Sequence, residues 1–253
     1  MLAVLIALAG LGPVKPVVPT VPVHYRIDAK SRQEVDLTAF GQPSQVTELT
    51  AKVFLSVSML DTTGGKLAHI VIDSMVFDAT GQMQLAFNQA AADSAKGATI
   101  HAYVVDGKVR DNAKLSVETQ ATGLARQTLS LLFAGTRGGV KAGAGWIDTT
   151  NAINKSANGT TQTTTVVTDW KVTGTEGGAI TVEGSGNGKV SMEGGEQQIS
   201  GTSTSKLTVT SPAGGPSRHA TLASQQALMV TVPGAPEPIP VTATTNLTLT
   251  LLN

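Results

Sequence analysis

From Trp146 to the C-terminus the chain is a run of threonine-, serine- and valine-rich segments broken by glycine or proline clusters, and this constrains the fold most. β-branched residues fit a pleated strand, glycine supplies positive φ, and proline interrupts a ladder. Residues 162–172, 179–183, 189–192, 197–210, 220–232 and 241–251 read as strands. Residues 174–178, 184–188, 194–195, 212–216 and 233–240 read as the turns between them. No fixed period recurs, so neither a propeller nor a solenoid is expected.

The preceding stretch extends the pattern. Residues 23–29, 34–40, 46–60 and 66–77 alternate apolar and polar side chains, with a turn at 61–65. Such alternation predicts antiparallel strands with one wet face. Residues 88–96 form a short helix candidate closed by Gly97, and 100–105 a strand whose Asp106-Gly107 predicts a hairpin into 108–110. Residues 118–134 read as the principal helix, with Leu124, Thr128, Leu131 and Leu132 on one face and Phe133 adding to it. The expected fold is mainly β: a long antiparallel meander forming a curved sheet, half-barrel or sandwich, with one or two short helices packed against it.

Ahead of the strands, residues 2–11 are a continuous apolar run carrying Leu2, Val4, Leu5, Ile6, Leu8 and Leu11. As a helix it spans about 15–18 Å, roughly half the ~30 Å hydrocarbon layer, so its length suits a signal segment better than a span. Pro13, Pro16, Pro19 and Pro22 then favour an extended polyproline arm. The division expected is a signal-like or membrane-anchoring leader over 1–12, a proline-rich arm over 13–23, and a β-rich domain over 24–253 with a helical insertion at about 88–134.

Composition narrows the function. Charged residues make up 14% and balance at 18 basic against 18 acidic, while aromatics are 4%. A nucleic-acid partner needs basic patches and stacking platforms, so none is expected. The absence of cysteine removes disulfides and thiolate metal sites. His24, His69, His101 and His219 show no ligand spacing, so no metal or cofactor is expected. The glycine run 184–188 lacks the helix that a nucleophile turn or phosphate loop requires. Asp73, Asp78, Glu176, Glu183, Glu193 and Glu196 sit near predicted turns, and only Trp146, Trp170, Tyr25 and Tyr103 could serve as sugar platforms beside them. No nucleophile, base and oxyanion set emerges, so the chain is not expected to be an enzyme.

One apolar helix inserted in a long meander resembles the half-barrel fold of periplasmic lipoprotein carriers, and the layout is similar to secreted β-rich proteins of bacteria. The resemblance covers residues 24–253 by layout and implies a cupped sheet with a helix on its concave face. The cysteine that such lipoproteins acylate is absent here.

Two roles follow. The first is an exported, non-catalytic structural or accessory subunit on the periplasmic or extracellular side, docked to a membrane complex such as a bioenergetic one. Its leader would bind the membrane or the complex, and its β domain would brace the neighbouring subunits. The second is a periplasmic carrier for a lipid or other apolar ligand, with Leu124, Leu131, Leu132 and Phe133 as the ligand face.

Overall fold

The computed structural model describes residues 21–106, 108–133, 141–155, 161–176, 178–194, 198–212 and 215–252. Strands β1 (Val23–Val35), β2 (Gln45–Thr62) and β3 (Gly65–Ala79) lead to helices α1 (Met83–Ala86) and α2 (Gln89–Ala95). The hairpin β4 (Thr99–Val105) and β5 (Lys108–Leu115) follows, then α3 (Gln120–Gln127) and α4 (Leu129–Phe133). Six long strands complete the chain: β6 (Gly145–Lys155), β7 (Thr161–Glu176), β8 (Ala179–Glu193), β9 (Gln198–Pro212), β10 (His219–Thr231) and β11 (Ile239–Leu252).

All eleven strands form one antiparallel sheet in the order β5-β4-β3-β2-β1-β11-β10-β9-β8-β7-β6. The first and last strands pair at its centre, Tyr25 opposite Leu251 and Val35 opposite Val241. The fold is therefore two meanders fused along β1 and β11, with α1 and α2 between β3 and β4 and with α3 and α4 in the connection between the two edge strands.

At a spacing of about 4.8 Å, ten strand gaps would separate the edges of a flat sheet by roughly 48 Å. Instead Lys108 Nζ on β5 lies 2.6 Å from Asp148 Oδ1 on β6. The sheet must curl almost into a cylinder for that ion pair to form. Among the described residues the edges share no ladder, so the barrel is unclosed and clasped by side chains.

Alternation sorts the faces. Inward positions include Tyr25, Ile27, Val53, Leu55, Ile70, Ile72, Ile100, Val209 and Leu249, each at most 1% exposed. On β3 the alternation survives a bulge opposite Phe54 and Leu55, where Asp73 is the extra residue. Ile70 and Ile72 before the bulge and Met75 after it all remain buried, while Asp73 turns outward.

The helices fill the concave side. Asn88 caps α2 by accepting the Ala91 N–H at 3.0 Å. Its exit is Gly97, at φ 77, whose N–H reaches Ile72 O on β3 at 2.8 Å. Thr119 and Thr122 form a reciprocal capping pair at the start of α3. The single helix read over 118–134 is broken at Thr128. Its hydroxyl donates to Ala125 O at 2.7 Å and its carbonyl accepts from Leu131, so it ends one helix and begins the next.

Two further readings are corrected. The strand expected over 34–40 stops at Val35, and Thr38–Phe40 is a 3-10 turn. Asp36 explains the stop: its carboxylate accepts from the Thr38 N–H at 2.9 Å and from its hydroxyl at 2.6 Å. Those bonds also hold the Asp36 carboxyl below its ordinary range. Residues 184–188, expected as a turn, lie inside the continuous strand β8. A Cβ on Gly184 would meet the Trp170 ring at 2.8 Å, and one on Gly188 would meet Thr165 O at 2.9 Å. These glycines make room for neighbours rather than reverse the chain.

Candidate functional site

Register places the chemistry in rows running across the sheet. Directly opposed residues of an antiparallel pair point to the same face. One inward row reads Trp146, Trp170, Gly184, Leu207, Leu222, Leu247, Ala29, Ala51 and Phe77, from β6 round to β3. Trp146 and Trp170 stack with centroids 6.0 Å apart and planes 14° from parallel. Trp170 lies over Gly184, which gives the ring its space. Trp146, Leu207, Leu222 and Phe77 remain half-buried, so this apolar floor is accessible in part.

One pleat further along the strands, about 6.6 Å away, the inward row becomes hydroxylic. It reads Asp148, Thr168, Gly186, Ser205, Ser224, Thr245 and Ser31. Ser31 Oγ and Thr245 Oγ1 are 3.4 Å apart. Asp148 ends the row at the seam, accepting from Trp146 Nε1 at 3.1 Å as well as pairing with Lys108. The concave face thus sets a polar belt beside an apolar floor.

The convex face has the opposite character. The outward row adjacent to the apolar floor is Lys30, Asn246, Ala223, Lys206, Ser185, Asp169 and Ile147. Arg26, Arg32, Lys52, Lys171 and Lys189 also project outward and are exposed. Exposed apolar side chains also occur on the strands, among them Val76, Ile147, Val167 and Met229.

Of the helical residues read as a ligand face, Leu131, Leu132 and Phe133 are at most 1% exposed and belong to the core, while Leu124 is half-buried against it. Each fully buried side chain of this size contributes about 1.5–3 kcal/mol. Ser217, before β10, holds the end of α4: its N–H donates to Leu132 O at 2.8 Å and its hydroxyl to Leu131 O at 2.7 Å. The anchor residues Leu2, Val4, Leu5, Ile6, Leu8 and Leu11 lie outside the described residues.

Tyr25 is buried, and burial pushes its phenol up to about 12. Tyr103 donates instead to Thr63 O at 3.3 Å. His24, Ser56 and Asp73 meet on the convex face, where Ser56 Oγ is 3.0 Å from His24 Nδ1 and donates to Asp73 Oδ2 at 2.7 Å. In a hydrolytic triad the histidine stands between serine and carboxylate; here the serine stands between the other two. In the sequence the tryptophans stand out only as two of the few aromatics able to serve a sugar cleft. Their stacking over Gly184 depends on register, which alternation alone does not encode.

No family model matches the chain, and no curated protein sequence does. Among solved structures it is similar to the β domain of the Bordetella autotransporter Brka, at 12% identity over 91% of this chain and 99% of that one, with a TM-score of 0.28. A mutant porin from Rh. blastica gives 8% identity over 91% and 100% of the two chains, with a TM-score of 0.22. Overlap of that size defines no shared fold. The class rests on the chain's own faces: a curled antiparallel sheet with an apolar core and helices within and a mixed, largely polar outer face.

Proposed function

We propose that the protein is a non-catalytic carrier or binding protein for an amphiphile with a long apolar chain. The observation that carries this reading is the pair of adjacent concave rows. The floor from Trp146 to Leu247 would take the apolar chain, and the belt from Asp148 to Ser31 would hydrogen-bond a polar head about one pleat away. Sites for apolar ligands combine such a surface with a few placed polar groups. An unclosed seam allows the cup to widen without breaking a ladder. The layout resemblance to periplasmic carriers agrees with this reading, as does an exported location inferred from the leader.

A titration of tryptophan emission with a single-chain phospholipid, in detergent-free buffer, tests it. Trp146 and Trp170 are the only tryptophans, so a saturable blue shift at one equivalent is expected. Leu207→Lys, which places a charge on the floor, should weaken the midpoint about tenfold or more. An unsaturable or absent response in the unmodified chain overturns the reading.

A further inference from the structure

His69 on β3 and His101 on β4 stand directly opposite one another in the antiparallel register. Both project from the convex face, away from the concave floor. Their ring centroids are 4.7 Å apart at a tilt of 39°, and the two Nδ1 atoms are separated by 3.5 Å. Two imidazole nitrogens bound to one ion at ~2.05 Å in a tetrahedral arrangement stand about 3.3–3.4 Å apart. The two Nδ1 atoms, within hydrogen-bond distance of each other without an ion, thus already stand close to the separation that a shared ion requires.

We propose that His69 and His101 form a two-imidazole binding site for a divalent transition-metal ion of the Cu2+ or Zn2+ kind. Imidazole is the borderline donor these ions favour, and Cu2+ should bind more tightly than Zn2+. The strands fix both backbones, so little ordering is left to binding. Among the described residues no third imidazole or carboxylate joins the pair. The remaining positions would therefore be filled by water or by a donor from another molecule. Lys114 lies opposite His101 on β5, and its charge disfavours a cation there. This inference is independent of the carrier reading.

The test is a Cu2+ titration of the full chain by calorimetry, paired with electron paramagnetic resonance of the one-equivalent complex. Expected are one saturable site and a hyperfine pattern from two imidazole nitrogens. His69→Gln and His101→Gln should each weaken binding about tenfold or more, whereas His24→Gln and His219→Gln should leave it unchanged. Unaltered affinity in both paired variants overturns the proposal. Should a variant fail to fold, the resonance of the unmodified chain decides, and a single-nitrogen pattern also overturns it.

Discussion

Gly184, Gly186 and Gly188 lie on β8 where Trp170, Ser205 and Ser203 cross from the neighbouring strands. Gly184→Ala drives a methyl into the rigid Trp170 ring, a contact of 2.8 Å. Overpacking of this kind costs about 1–3 kcal/mol. Denaturant unfolding should show that loss, together with altered tryptophan emission as the Trp146–Trp170 stack is displaced. In the sequence these glycines read as a turn, because a glycine required for a neighbour's bulk and one required for positive φ are the same letter. Tyr25 gives a second prediction at this scale. An unfolded tyrosine ionises near pH 10, whereas burial holds Tyr25 protonated to about 12. Between those values the folded chain binds more protons than the unfolded one, so stability falls as pH rises, by roughly 3 kcal/mol in all. Tyr25→Phe should flatten that fall, as read from unfolding midpoints across the interval.

Elements were legible where they were long and periodic. The alternation along β2 and β3, the hairpin at Asp106, and the strands from Gln198 onward stand where the sequence places them. The helix over 118–134 was legible as a helix, but its break was not. Thr128 fits the apolar face while its hydroxyl takes the Ala125 carbonyl, a local hydrogen bond that periodicity does not register. Least legible was the seam between β5 and β6, since Lys108 and Asp148 are 40 positions apart in sequence. A partly exposed ion pair contributes little to stability, about 0–1 kcal/mol. Lys108→Met should therefore shift the unfolding midpoint little. It should nevertheless speed hydrogen exchange of β6 amides, because the clasp restrains an edge with no ladder beyond it. Unchanged exchange on β6 would show that the seam is held by other contacts.

At the scale of the molecule, curvature turns two kinds of strand face into an inside and an outside. The mainly β class and the curved sheet were readable from turn spacing and from alternation. Which rows meet across seven or more strands was not, because threonine-rich strands specify register weakly by pattern alone. Once register is fixed, apolar floor and hydroxyl belt become neighbours, and the proposed carrier role rests on their adjacency. The helical residues Leu131, Leu132 and Phe133 serve that arrangement from beneath, as packed core. The ligand face of the proposed carrier is on the sheet, at Trp146, Leu207 and Leu222.

The most direct measurement is native mass spectrometry of the full chain, expressed in a bacterial host and purified from the soluble fraction without detergent. The account predicts a second charge-state series, heavier by one amphiphile, that is lost on extraction with organic solvent and depleted in the Leu207→Lys variant. A chain found only at its own mass, and still bare after incubation with a single-chain phospholipid, would contradict it.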